Sequence, residues 1–259
     1  ARWERTNHVD NPDEPDYKPH RIIEQSEHDR LKALVESGKQ ADVTETRRDA
    51  SEKPPLSFDL TSLQREANNL WSWSAKRTLG IAQNLYADMK VTTYPRTDSR
   101  HIPTDMKEEI TKIIHQLGAQ DELNVHSARL IADGLKNTGR NFDDAKVSDH
   151  FAIIPTGKIP DGFPSNDHQK LYDLIARTFL ASWHPPAVWD VQKRTAMLDN
   201  ERFIKEVRTI KTSGWRAVRP KKQELPAGWN TLPNNPCKAD ITEFEFKEER
   251  SKPKGRLKE

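Results

Sequence analysis

Cysteine is nearly missing from this chain: Cys237 is the only one in 259 residues. That excludes an internal disulfide framework, a four-cysteine zinc ribbon and a thiol redox pair, and it suits a reducing, cytoplasmic setting. No apolar run approaches the ~20 residues needed to cross a bilayer, and the first residues lack the basic-then-apolar order of a signal peptide, so no membrane partner is expected. A large net charge is missing too. Forty-two basic against 40 acidic residues leave +2, so any nucleic-acid site must be a local patch and not a global field. There is no internal repeat. The chain opens on "ARWER" without methionine and closes on "SKPKGRLKE", the ends expected of a piece cut from something longer.

What is present is a polar-surfaced globular composition, 34% hydrophobic and 32% charged, sufficient for one large domain or two modest ones. "NHVDNPDEPDYKPH" is acidic, proline-broken and reads as an exposed loop. Ser26 with Asp29 forms a capping-box pattern ahead of a short helix stopped at Gly38, and "ADVTETRRDASEKPPLSF" follows as an extended segment. Pro54 and Pro55 mark a natural domain edge. Beyond them Thr61 with Gln64 predicts a second box, and Ser74 predicts the cap of "AKRTLGIAQNLYADM", whose Leu79, Ala82, Leu85, Tyr86 and Met89 recur as a core-facing stripe. Trp71 and Trp73, near the end of the preceding helix, read as core packing before base stacking. Met106, Ile110, Ile113, Ile114 and Leu117 repeat the helical scheme up to Gly118; further helices are predicted at "HSARLIADGL" and "DHQKLYDLIARTFLASW", the last ending at Pro185 and Pro186.

From Ala187 onward, period-two alternation (Ala187, Trp189, Val191, then Phe203, Lys205, Val207) across Asp199 and Asn200 predicts a hairpin. The expected fold is therefore α+β: a strand-rich arch domain built from both ends of the chain, 1–55 and 187–259, with a mainly helical domain, 56–186, inserted into it. The charged end "FKEERSKPKGRLKE" reads as solvated or as a linker.

One stretch asks for a chemical explanation. In "VTTYPRTDSRHIP", Val91 to Pro103, proline and the polar run forbid a long element, so Tyr94 ends a short extended segment and enters an ordered turn. A buried tyrosine at a strand end is an ordinary structural feature whose hydroxyl bonds to backbone. The chemical alternative is a nucleophile. Phenol, with a reference pKa near ~10, needs a cation or metal to favour the phenolate. Arg96 and Arg100 lie within six residues, and the guanidinium fork matches two phosphate oxygens and the charge of an in-line displacement. The pairing suggests phosphodiester chemistry.

"TTYPRTDSRHIP" closely resembles the active-site motif of type IA DNA topoisomerases, with Tyr94 and Arg96 at the family's spacing. "SFDLTSLQREAN" upstream and "SDHFAIIPTG" downstream resemble two further family segments in the same order, and "SGWRAV" extends a weaker likeness. The "YPRTDSR" form is nearer to bacterial topoisomerase III, within a bacterial topoisomerase I/III-like group. The resemblance implies an ATP-independent enzyme that cleaves and reseals one DNA strand through a 5′-phosphotyrosine intermediate. Tyr94 would be the nucleophile, Arg96 would hold the scissile phosphate, and His150 would contact the same phosphate. Asp98 would orient the arginine, and Thr97, Asp98, Ser99, Arg100 and Gln64 are candidate DNA contacts.

The family's magnesium-binding Toprim domain is not recognisable here. No "DxDxE" cluster occurs, and "DNPDEPD" is too proline-broken to hold an octahedral ion. Mg2+ is thus expected in a longer parent with its ligands elsewhere, none within this chain, and the chain alone is expected not to cut DNA. The implied partner is single-stranded or underwound DNA, the implied location the cytoplasm in association with the nucleoid, and the expected state a monomer. Of two competing classes, a tyrosine recombinase is disfavoured because Tyr94 lies far too early, and a non-enzymatic single-stranded nucleic-acid-binding module in which "YPRTDSR" merely holds phosphate stays open.

Overall fold

The computed structural model describes residues 1–6, 18–136, 138–220, 225–226 and 229–248. Most of the acidic N-terminal loop and of the charged C-terminal run predicted above lie outside them. The elements, in chain order, are β1 (Arg2–Glu4), α1 (Gln25–Glu36), β2 (Ala41–Glu52), α2 (Leu60–Trp71), α3 (Ala75–Ala87), α4 (Lys107–Leu117), α5 (Asp121–Asp133), α6 (Thr138–Asn141), α7 (Asn166–Trp183), β3 (Ala187–Leu198), β4 (Glu201–Thr212) and β5 (Cys237–Ala239). The fold is α+β.

Contacts divide the chain into two compact units. The first holds described residues from 1–50, 189–210 and 223–258. Its sheet has the order β1-β4-β3-β2-β5, with β1 antiparallel to β4 (Trp3 opposite Phe203) and β2 antiparallel to β5 (Asp42 opposite Lys238). The hairpin turn is made by Asp199 at φ +50, a conformation that aspartate tolerates better than most side chains. Val35 of α1 packs with Ala41 and Leu198, and Phe203 and Phe246 close the cluster.

The second unit, residues 51–188 and 211–222, is helical and carries the larger core. The stripe predicted on α4 is buried as Ile110, Ile113, Ile114 and Leu117, all at most 3% exposed. Helix α7 is apolar on nearly all sides, and Leu171, Tyr172, Phe179 and Trp183 are fully buried, as expected of a central helix. Trp73 is buried, and Trp71 packs on the same cluster with its ring 4.5 Å from that of Trp73.

Helix starts are set by local chemistry, and two differ from expectation. Helix α1 begins after an extended Glu24 with no side-chain cap, so Ser26 and Asp29 lie inside it; a serine caps only from an extended residue. Helix α2 is capped by Asp59, whose Oδ1 accepts from Ser62 N at 2.6 Å while Asp59 N donates to Ser62 Oγ at 3.2 Å. The reciprocal box is therefore Asp59 with Ser62, and not Thr61 with Gln64. Ser74 caps α3 as predicted, accepting from Arg77 N at 3.2 Å.

"SGWRAV" returns to this unit. Trp215 is buried, its Nε1 donates to Glu52 O and its N to Pro185 O, both at 3.0 Å, and Arg216 Nε donates to the Glu52 carboxylate at 3.0 Å. Gly214 has φ +49, and a Cβ there would stand 2.3 Å from Pro186 O. Gly214→Ala should cost about 2–3 kcal/mol. Urea unfolding checks this, with Gly162→Ala, which meets open space, expected to unfold at the wild-type midpoint.

Acid should weaken the same core. His184, just beyond α7, is 1% exposed, and burial, reinforced by His126 and Arg129 against Asp133, pushes its pKa from 6.5 down to about 4. Below pH 6.5 the unfolded chain binds a proton that the folded chain refuses. The stability present above that value is lost as pH falls toward 4. Between pH 7.5 and 5 this residue should cost about 2 kcal/mol, measured as the fall in unfolding free energy and reduced in His184→Gln.

Candidate active site

Three stretches distant in sequence are laced together by main-chain bonds beneath Tyr94. Ile153 N donates to Phe58 O at 2.8 Å, Leu60 N to Thr97 O at 3.0 Å, Thr93 N to Ile154 O at 2.9 Å, Thr156 N to Val91 O at 3.1 Å and Ala152 N to His101 O at 3.0 Å. Thr93 Oγ1 adds a clamp, donating to Ala152 O and accepting from Ile154 N, each at 2.9 Å. These are the motif segments around Phe58, Tyr94 and Ile153. Short bridges, not long strands, hold them because prolines remove ladder donors. The tyrosine thus stands on a floor of buried Phe58, Val91, Ile153 and Ile154.

Burial alternates along the loop: Pro95, Thr97 and Ser99 are buried, Arg96 and Asp98 exposed. Extended backbone explains this, since successive side chains point to opposite faces. Tyr94 is half-buried and lies between two rings: His150, centroids 4.4 Å apart and tilted 48°, and Tyr86 of α3, 5.3 Å apart and edge-on at 73°. With its carbonyl oxygen turned toward Arg96, the Gln83 amide accepts from Arg96 Nε and Nη2 at 3.2 Å each. An exposed arginine, an imidazole and a half-buried phenol are therefore grouped here, a set suited to binding phosphate and attacking it.

The other predicted residues occupy distinct places. Thr97 Oγ1 donates to His150 O at 2.9 Å and accepts from Ser99 N at 3.0 Å, tying the histidine's backbone to the tyrosine loop. Ser99 Oγ donates to Lys146 O at 2.7 Å. Arg100 turns inward, its Nε and Nη2 donating to Ser57 O and Leu56 O at 3.0 and 3.3 Å. Asp98 accepts from Ser148 Oγ at 3.0 Å, and it is Gln83 that meets the Arg96 guanidinium. Gln64 Nε2 donates to Ala75 O at 3.1 Å, joining α2 to the start of α3. His101, within the same motif, has its pKa lowered by burial and by Lys146.

Sequence reasoning missed two neighbours. Tyr86 was expected in the core stripe, yet it is 41% exposed beside Tyr94, while Thr78 takes an inward place with Ala82 and Leu85. Helical phase carried the signal: Tyr86 directly follows the fully buried Leu85 and falls to the edge of the stripe. Gln83 had no signal beyond lying three residues before Tyr86. Among the described residues no three His, Cys, Asp or Glu side chains converge as a metal site.

A family model described as DNA topoisomerase matches residues 4–259. The DNA topoisomerase 3 of Bacillus licheniformis is 38% identical over 183 residues, 70% of this chain and 25% of that protein. The Bacillus subtilis DNA topoisomerase 3 is 36% identical over 189 residues, 72% of this chain and 26% of that protein. Full-length topoisomerase I of Thermotoga maritima superposes with a TM-score of 0.58 over 85% of this chain and 35% of that one, at 22% identity, a likeness of fold. The chain spans about a quarter of the length of the curated relatives it matches. Since the matched model runs almost from end to end and takes in all three segments laced together under Tyr94, the chain belongs to the DNA topoisomerase family, in its type IA class.

Proposed function

We propose that this chain carries the nucleophile of a topoisomerase that breaks and rejoins one DNA strand. The observation that carries the reading is the placement of Tyr94 against His150 with Arg96 exposed beside them. In the forward step Tyr94 Oη attacks a backbone phosphorus. The P–Oη bond forms, the bond to the 3′ oxygen breaks, and the phenol's proton is balanced by one taken up at the departing 3′ oxygen. Arg96 offers its N–H fork to the non-bridging oxygens as negative charge concentrates there, and His150 contacts the same phosphate. Attack by the 3′ hydroxyl reverses every bond change and reseals the strand. Thr97, Ser99 and Arg100 serve this step by holding the loop. We read the two units as an arch and a helical domain inserted into it, together one arm of a strand-passage gate. Alone, the chain is expected to bind single-stranded DNA weakly and leave it intact, since positioning of the strand requires a second wall.

The test is covalent trapping in a chimera in which this chain replaces the matching segment of the Bacillus subtilis DNA topoisomerase 3. With magnesium and a single-stranded oligonucleotide, denaturation should leave label on protein when the 3′ end is labelled, and a shortened free strand when the 5′ end is labelled. Binding without protein-linked label from either end would leave a nucleic-acid-binding module and end the catalytic reading.

A further inference from the structure

Helix α3 presents Gln83 and Tyr86 one turn apart, one on the guanidinium of Arg96 and the other on the ring of Tyr94. The helix is a rigid carrier. Ser74 caps its start, and Ala82 and Leu85, at 1% and 0% exposed, key it into the core on the residues adjacent to Gln83 and Tyr86. Any motion of this pair relative to the core must disturb that packing. Yet the pair itself contributes little to the core: Tyr86 leaves 41% of its surface exposed, and its ring makes its edge-on contact with Tyr94 from that exposed position.

Each contact removes a specific freedom. A phenol on a loop can swing about two side-chain torsions, and attack on phosphorus needs its oxygen in line with the leaving oxygen. Tyr86 meets Tyr94 edge-on at 5.3 Å while His150 tilts against it at 4.4 Å, so Tyr94 lies between two rings in geometries that aromatic pairs favour. Arg96, exposed on an extended segment, would otherwise sample many rotamers. Gln83 takes Nε–H and one Nη2 hydrogen, which leaves both Nη1 hydrogens and the second on Nη2. The free edge is the end-on fork. A neutral amide also leaves the cation's charge uncompensated, as a carboxylate in its place would not.

We infer that Gln83 and Tyr86 are a positioning pair: Tyr86 sets the direction of the Tyr94 hydroxyl, and Gln83 turns the Arg96 end-on fork toward the phosphate without neutralising it. The inference rests on the reading of Tyr94 as the nucleophile. It concerns residues that need not touch DNA, and it predicts a loss in the cleavage rate with no matching loss in DNA affinity.

The experiment has two arms. In the first, the chain itself is labelled at its tyrosine rings. There are four tyrosines, and the Tyr94 signal is identified by its disappearance in Tyr94→Phe. Tyr86→Leu should shift the Tyr94 ring resonances by removing the neighbouring ring's current, and Tyr86→Phe should leave them near their wild-type positions. In the second arm, the chimera's single-turnover cleavage and its oligonucleotide Kd are measured together. Tyr86→Leu and Gln83→Glu should each slow cleavage about 10- to 100-fold, the range that misalignment of a reacting group produces, with Kd changed by less than about threefold for Tyr86→Leu. Tyr86→Phe should restore the rate. Gln83→Glu should lose more at low salt than at high salt, because its charge is screened. Tyr86→Leu cleaving at the wild-type rate, or an unmoved Tyr94 signal, overturns the pairing while wild-type trapping still upholds the nucleophile. Absence of label in the wild-type chimera removes both.

Discussion

In Tyr94→Phe the protein-linked label should vanish, a loss of at least ~10³-fold, because the substitution deletes the attacking oxygen and nothing else. The ring that remains keeps its tilted contact with His150 and its edge-on contact with Tyr86. The loop beneath is held by main-chain bonds that do not involve the phenol, among them Leu60 N to Thr97 O and Thr93 N to Ile154 O. Folding should therefore be unaffected, and oligonucleotide affinity should stay within about threefold of wild type, a change of under about 1 kcal/mol. Trapping with a 3′-labelled strand and anisotropy with a fluorescent one separate the two quantities. Residual label in Tyr94→Phe at more than a few per cent would place the covalent link on another residue.

Arg96→Ala should reduce the trapping rate by about 10²–10³-fold, the usual effect of removing one preorganised donor to a charge that grows in the transition state. Arg96→Lys should recover only part of this, since an ammonium cannot offer a planar fork to phosphate while also donating twice to Gln83. The loss should be catalytic and not structural. Arg96 is exposed, so its removal should change unfolding free energy by no more than about 0.5 kcal/mol. Arg100, four residues on and chemically identical, should behave in the opposite way. It donates to Ser57 O and Leu56 O, and Arg100→Ala should cost about 1.5–3 kcal/mol of stability by stranding partly buried carbonyls. Urea unfolding and single-turnover cleavage, run on both variants, distinguish the two arginines. If Arg100→Ala lost activity with full stability, the inward arginine would be a phosphate ligand after all.

The contrast between the two arginines marks what could be read in the sequence. Their spacing from Tyr94 was visible, and so was the chemistry that a guanidinium brings to phosphate. Which of the two faces outward follows from the phase of an extended backbone that buries Pro95, Thr97 and Ser99; that phase depends on where Thr92 pairs with Pro155 and Thr97 with Leu60. Helix caps show the same division. Ser74 was legible because its cap is completed by Arg77, three residues away. Asp59 and Ser62 were overlooked for a similar pattern two residues later, because only the backbone decides which residue stays extended.

Local periodicity and short-range chemistry were thus determined by sequence alone: the buried stripe of α4, the hairpin at Asp199, the α+β class, and a tyrosine set two residues from an arginine in a proline-bounded loop. Tertiary structure alone decided the company that Tyr94 keeps. His150 is drawn to it by Thr97, 53 residues away, through a bond to the histidine's own carbonyl, and Gln83 and Tyr86 reach it from the edge of a helix whose inward face packs into the core. The physical reason is that helices and turns are written in neighbours a few residues apart, whereas this site is assembled by main-chain pairing between distant segments, whose partners no local pattern names.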